Sequence, residues 1–384
     1  MKINSLRIKN NFYGWEFEKV DFTLNLTLFV GISGVGKTQI LNAIDSLRKV
    51  ANGESINGLE WEIAFSIVSS ENYLWKGAFS VLDKETSMFT KRKRISSEED
   101  EIIKPTILFE ELTDAGQNLI IERDTEKILF NGNPMPKLSS HESMVHILKE
   151  EKSIQNIVQA LNKIKLTDHA SKEDMFFSFS SKTLTQLKEK YKTLDEIKNS
   201  NEAMRIKLFL CYEYGLEVFE IIKERFMDIF PQVEDVKIEQ TDEKRFAHVL
   251  ELTPVPVIFI KEKKVSRWIT EGRMSSGMLR TILHISELFL ASDGSVILID
   301  EFENSLGINC IDILTDDLIH ENHALQFIAT SHHPYIINNI PYEYWKVVSR
   351  EGGHIKIENA SSYNLGKSKQ EAFIQLTKLL ENQI

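Results

Sequence analysis

Three hundred and eighty-four residues, 42% apolar and 27% charged, suffice for one large domain or two modest ones and exclude a largely disordered chain. Forty-six basic against 57 acidic side chains leave a net charge of −11, so no general electrostatic pull toward nucleic acid or anionic lipid exists and any such contact has to be a local patch. The apolar runs fall short of the roughly 20 residues a membrane span needs, Met1-Lys2-Ile3-Asn4 does not begin a signal peptide, and Cys211 and Cys310 lie outside any metal-like spacing, which suits a reducing cytoplasm.

In chain order, Thr23 to Val30 alternates polar with apolar and then turns fully apolar, the pattern of a strand entering a buried sheet. A glycine-rich turn follows. From Lys37 the period becomes helical, with Ile40, Leu41, Ile44, Leu47 and Val50 on one face and Gly53 as a stop. Residues 62 to 130 read as strand-rich, interrupted by the charged stretch Lys91 to Glu101. From Ser139 to Phe230 the apolar positions take helical spacing, as in Ile154, Ile157, Val158, Leu161 and Ile164. The heptad-like series Leu184, Leu187, Tyr191 and Leu194 dies out within a few turns, so no long coiled coil is expected. Val296 to Ile299 is a short buried strand, Ile311, Leu314 and Leu318 mark a helix, and Leu325 to Ala329 is a second strand. A terminal strand is expected at His354 to Ile357 and a helix from Ser368 to Leu380. Strands interleaved with helices predict an α/β fold with a largely parallel sheet.

Four segments carry chemistry. Gly31-Ile32-Ser33-Gly34-Val35-Gly36-Lys37-Thr38 satisfies G-x-x-x-x-G-K-[ST], in which backbone N–H groups wrap a phosphate chain, the lysine neutralises the β and γ phosphates, and the hydroxyl ligates Mg²⁺. Asp300-Glu301 places two carboxylates at the carboxyl end of a buried strand, where such sheets gather ligands; Asp300 is the candidate Mg²⁺ ligand and Glu301 the candidate proton acceptor for an attacking water. Met274-Ser275-Ser276-Gly277, 23 residues before Asp300, opens an apolar helix with an anion-receptive terminus, although Ser-Ser-Gly is also an ordinary helix cap. His332, directly after the second strand, can reach a γ-phosphate or the water, and His333 is its structural neighbour.

In this order and spacing the four segments resemble an ABC-type ATPase head of the soluble branch, similar to the AAA-15 and AAA-21 ATP-binding proteins and to the overcoming-lysogenization-defect, RecF and Rad50 heads. The motifs lie in residues 1 to 50 and 265 to 345. The resemblance implies an ABC-type P-loop NTPase head with a mixed or parallel sheet, built from residues 1–135 and 235–384, with an inserted helical lobe at 136–234. It also implies ATP and Mg²⁺ as cofactors and an ATP-sandwich homodimer. Lys37 and Thr38 of one copy, with Gly31, Ser33, Gly34 and Gly36, would then face Ser275 and Gly277 of the other, and Asn304 to Leu306 would line the seam. Glu301, His332 and Lys37 are the implied catalytic set.

The pattern departs from the family's at Ser33, where asparagine is frequent, and at Met274 and Ser276 of the signature. The glutamine that normally links nucleotide state to the helical lobe is expected between Trp61 and Phe79. Tyr13 and Trp15 are candidates for adenine stacking, or ordinary packing residues. About 40 residues follow Pro341, too few for an appended nuclease domain, so an effector such as a nuclease is expected as a separate partner. The setting implied is DNA maintenance or defence against phage. DNA is a candidate partner through Lys91-Arg92-Lys93-Arg94, which Glu98 to Glu101 offset. Two other readings stay open: a nucleotide-gated scaffold that hydrolyses slowly or not at all, and a transporter head, which the long insertion between Thr38 and Ser275 disfavours.

Overall fold

The computed structural model describes residues 1–67, 71–82, 103–167, 181–241, 255–304, 306–319, 324–333, 337, 339–363, 375 and 378. The chain opens with an antiparallel pair, β1 (Lys2–Asn10) and β2 (Trp15–Asp21), before β3 (Leu26–Val30) enters the core and hands over to helix α1 (Lys37–Ala51). A meander follows, β4 (Leu59–Ser66), β5 (Asn72–Phe79), β6 (Ile107–Asp114), β7 (Leu119–Arg123), β8 (Ile128–Phe130) and β9 (Asn133–Pro134), antiparallel throughout. Next come α2 (Met144–Ile147), α3 (Lys152–Leu161) and the short strand β10 (Ile164–Thr167). Four helices, α4 (Ser181–Lys190), α5 (Leu194–Asn199), α6 (Met204–Glu213) and α7 (Glu217–Ile229), precede a small sheet of β11 (Val233–Thr241), β12 (Val255–Glu262) and β13 (Ile269–Thr270). The last stretch holds α8 (Ser276–Leu290), β14 (Val296–Ile299), α9 (Ile308–Ile319), β15 (Gln326–Ser331), β16 (Trp345–Glu351) and β17 (His354–Asn359).

Fourteen strands join in one sheet, ordered β10-β14-β15-β3-β16-β17-β2-β1-β4-β5-β6-β7-β8-β9. The five from β10 to β16 are mutually parallel, and the arm from β1 to β9 is antiparallel. The fold is therefore the expected α/β class, but the sheet is mixed and not largely parallel as the alternation of strands and helices predicts, because the β4–β9 meander extends it with antiparallel pairs. Period-two alternation feeds two cores from the same strands. Leu26, Leu28 and Val30 of β3, Ile297 and Ile299 of β14, and Phe327 and Ala329 of β15 pack with α6 to α9. Phe29, Leu298 and Ile328 point the other way, into the core formed with α1, α2, α3 and the meander. The central parallel strands β3, β14 and β15 are buried on both faces, as near-continuous apolar runs require.

Of the stretch 136–234, read from sequence as a helical lobe, α2 and α3 pack beside α1 and β10 joins the main sheet next to β14. Helices α4 to α7 share one core with α8, α9 and the underside of β3 and β14. The side chain of Arg225 on α7 is ion-paired with Asp317 on α9. The heptad-like series ends in α4 and α5, which are 10 and 6 residues long. The basic cluster Lys91 to Arg94 and the acidic run Glu98 to Glu101 lie outside the described residues, as does most of the expected helix from Ser368 to Leu380.

Candidate nucleotide site

β3 delivers the chain to a loop that only glycine can form at two points. Gly34 and Gly36 have φ of 90° and 106°, in the left-handed region that side chains avoid. A Cβ on Gly36 would meet Ile355 Cδ1 at 2.7 Å, whereas beside Gly34 nothing lies within 4 Å, so the loop is packed underneath and open at its tip. No side chain caps the first turn of α1. The free backbone N–H groups there and the helix dipole make an anion cradle.

Lys37 opens α1 buried, and its ammonium donates to the carbonyls of Gly31 (2.8 Å) and Ile32 (2.9 Å). Burial pushes this ammonium below its ordinary value, opposed by the negative charges of Glu303, Asp300 and Glu301 in that order. One residue on, the Thr38 hydroxyl donates to the Asp300 carboxylate at 2.9 and 3.1 Å. Asp300 arrives there because β14 lies one strand from β3, with β15 between them. From β15, the Thr330 hydroxyl donates to Asp300 Oδ1 at 2.7 Å and accepts the Glu301 backbone N–H at 2.8 Å. Glu301 is exposed and held at φ 47°, a left-handed backbone that costs a non-glycine residue on the order of 1 kcal/mol or more. His332 follows β15; its backbone N–H donates to Glu303 Oε1 at 2.9 Å, and its ring Nδ1 lies 3.0 Å from the same oxygen.

The chain thus brings Ser33, Gly34, Gly36, Lys37, Thr38, Asp300, Glu301 and His332 around one cleft of about 280 Å³, to which Arg350 also contributes. A neighbouring cavity on the other side of the two acids is lined by Thr38, Thr167, Arg280, His284, Asp300 and Glu301. Arg280 donates to the Asn304 carbonyl at 2.6 Å, tying α8 to the turn after the acids. Ser275 and Gly277 line neither cavity. Ser275 is the exposed N-cap of α8, its hydroxyl accepting the Met278 N–H at 3.2 Å, and Gly277 sits in the first turn.

Tyr13 and Trp15 line a separate hollow of about 460 Å³ that shares Gln39 and Arg350 with the phosphate cleft. Arg350 Nη1 donates to Gln39 Oε1 at 3.1 Å across that junction. Tyr13 is 63% exposed and edge-on to Phe12, while Trp15 stacks beside Phe17.

The expected glutamine is not where the sequence reading put it. Residues 61 to 79 contain no glutamine, and the strands β4 and β5 there belong to the antiparallel arm. The strand that flanks β14 away from β15 is β10, whose last residue, Thr167, donates to Glu287 Oε1 on α8 at 2.6 Å. Thr167, Arg280, Glu303, Thr330 and Arg350 went unassigned from sequence. Only the strand-end position of Thr330 offered a signal.

A hydroxyl beside a carboxylate is a hard oxygen pair that suits Mg²⁺, which keeps waters and takes phosphate oxygens for the rest of its shell. No group of three or more His, Cys, Asp or Glu among the described residues could hold a metal alone, so a cation here would depend on the nucleotide for its coordination.

A family model described as "AAA domain, putative AbiEii toxin, Type IV TA system" matches residues 26–338. The chain belongs to this AAA family. The family makes it a P-loop ATPase by type, which implies nucleotide use. No curated protein matches it. Among solved structures the AAA domain is similar to an Smc head bound to the C-winged helix domain of ScpA, at 13% identity over 93% of this chain and 97% of that one, with TM-score 0.48. It is also similar to an Smc head domain with an extended coiled coil bound to the C-terminal domain of ScpA, from Pyrococcus furiosus (14% identity, 99% of each chain, TM-score 0.46). The SMC head domain from Thermotoga maritima gives 12% identity over 94% of this chain and 99% of that one, with TM-score 0.37. No helix among the described residues is long and apolar enough to cross a membrane.

Proposed function

We propose that this AAA domain binds and hydrolyses Mg²⁺-ATP in the cleft between Lys37 and His332. The observation that supports the reading is the chain of contacts Thr38–Asp300–Thr330–Glu301, a hydroxyl–carboxylate oxygen pair and the Glu301 carboxylate beside a glycine loop open at its tip. Lys37 and the loop N–H groups hold the β and γ phosphates. Thr38 and Asp300 would hold Mg²⁺, which would neutralise phosphate charge. Glu301, set by its left-handed backbone, takes the proton of the attacking water. The water oxygen forms the new bond to the γ phosphorus as the bond to the β–γ bridging oxygen breaks, and ADP leaves with that electron pair. The adenine lies in the hollow of Tyr13, Trp15 and Arg350.

Two copies then close on two nucleotides, Ser275 and Gly277 of each facing the phosphates of the other. The exposed, N-capped start of α8 supports this, since it offers N–H groups to an anion and touches none of the same copy's loop cavities. Pairing is read out through α4 to α7 and controls a separate effector such as a nuclease, with DNA as a further partner, in DNA maintenance or phage defence. The toxin–antitoxin wording of the family description supports that setting. Single-turnover cleavage of ATP by the wild-type chain and by Glu301→Gln tests the reading. Cleavage in the first and none in the second is expected; equal, negligible rates would overturn hydrolysis and leave a nucleotide-gated scaffold.

A further inference from the structure

Glu303 is an acid to which the hydrolysis scheme above gives no task. It stands two residues beyond Glu301 in the turn after β14, yet its side chain is only 8% exposed. Oε1 receives the His332 backbone N–H and lies 3.0 Å from the His332 ring Nδ1. Among the described residues Oε2 is buried without a hydrogen-bond partner. A buried carboxylate oxygen left unpaired is costly, so the position is retained against a penalty and calls for a reason. Among the acids near the phosphate loop, Glu303 also acts most strongly on the Lys37 ammonium, so it sits within the field of the phosphate site.

We propose that Glu303 is a positioning residue: it holds the neutral His332 ring in the tautomer protonated on Nδ1, leaving Nε2 as a lone-pair nitrogen directed at the phosphate cleft. A ring nitrogen 3.0 Å from a carboxylate oxygen is repelled by it if it presents a lone pair there, so this proximity favours the proton on Nδ1. In a neutral imidazole a proton kept on one ring nitrogen leaves the other bare. Among the described residues Nε2 meets no hydrogen-bond partner, while His332 itself lines the cleft. An exposed histidine left to itself favours the opposite tautomer, which would present an N–H donor to the incoming water instead of an acceptor. The second contact, to the His332 backbone, fixes where the residue leaves β15, so Glu303 sets both the ring's proton and its point of attachment. The consequence for hydrolysis rests on the ATPase reading above; the tautomer does not.

Selective ¹⁵N-histidine labelling of the full chain tests it, with the His332 signals identified as those lost in His332→Gln. In the wild type, above the pH at which the ring is protonated, a lone-pair shift at Nε2 and a protonated shift at Nδ1 are expected. Glu303→Leu should move the ring toward the Nε2–H form, and Glu303→Gln, whose amide oxygen still accepts from Nδ1, should retain the native one. In single-turnover hydrolysis Glu303→Leu is expected to lose at least about tenfold in kcat with KM for ATP changed less than about threefold, and the loss should vanish in a His332→Ala background. An Nε2–H ring in the wild type overturns the proposal by itself, even if the leucine variant does not fold. An unchanged tautomer in folded Glu303→Leu, or additive losses with His332→Ala, overturns it equally. A wild-type chain with the stated tautomer but no ATP cleavage would remove the ATPase reading and leave this one standing.

Discussion

One hydroxyl, on Thr330, donates to Asp300 and accepts from the Glu301 backbone, so a single small side chain aims both acids at the cleft. Thr330→Val keeps the volume and deletes both bonds. It is expected to cost about 1–3 kcal/mol in urea-unfolding stability through the buried groups left unpaired. It should slow single-turnover ATP cleavage by about 10²-fold through misplacement of the acids, with ATP affinity little changed. Lys37→Ala should instead lose nucleotide binding itself, by at least about 100-fold in an equilibrium titration with a fluorescent ATP analogue. At this scale the loop, Asp300, Glu301 and His332 were legible in the sequence because each sits directly after a strand with a recognisable apolar run. Arg350 and Glu303 were not. Their importance comes from contacts with Gln39 and His332, 311 and 29 residues away, and separation of that kind leaves no local pattern.

Among the helices, α8 is stabilised at both ends by polar side chains. Ser275 caps its start, and the fully buried Lys207 on α6 donates to the Leu290 carbonyl at its end and to the Lys198 carbonyl of α5. Burial, aided by the nearby charge of Lys165, pushes the Lys207 ammonium down to about 7 from 10.5. A base depressed in this way binds fewer protons folded than unfolded between those two values, so its charge costs stability below about pH 7 and the cost fades as pH rises toward 10.5. The urea midpoint should therefore climb between pH 7 and 8.5, and Lys207→Met should flatten that slope by up to about 1 kcal/mol per pH unit. Ser275→Ala should cost about 1 kcal/mol of stability, leave ATP binding by the single chain intact, and prevent pairing. The helices and the parallel strands β3, β14 and β15 were readable from period alone. β10 was not, because Ile164 also continues the helical series of α3, and a four-residue strand earns its identity only from pairing with β14.

At the scale of the molecule, the pairing reading predicts that the Glu301→Gln chain doubles its mass in light scattering on addition of Mg²⁺-ATP. Gly277→Asp in the same background should bind nucleotide and remain single, because a carboxylate at that helix start repels the partner's phosphates. Loss of nucleotide affinity in the single Gly277→Asp chain would show that α8 serves its own cleft and not a second copy's. The fold class was foreseeable from alternating strands and helices, whereas the order of fourteen strands was not, since non-local pairing is decided by which faces fit and not by adjacency in the chain.

The strand that launches the phosphate loop, β3, is hydrogen-bonded between β15 and β16, whose residues come some 300 positions later. On a ribosome, the β1–β2 hairpin and the β4–β5 meander can zip up soon after emerging, but the loop waits with both its edges bare until residue 347 has left the exit tunnel. Nucleotide capture should therefore follow the emergence of β16. Ribosome-arrested chains stalled before Trp345 should fail to retain labelled ATP, and chains extended well beyond β17 should hold it.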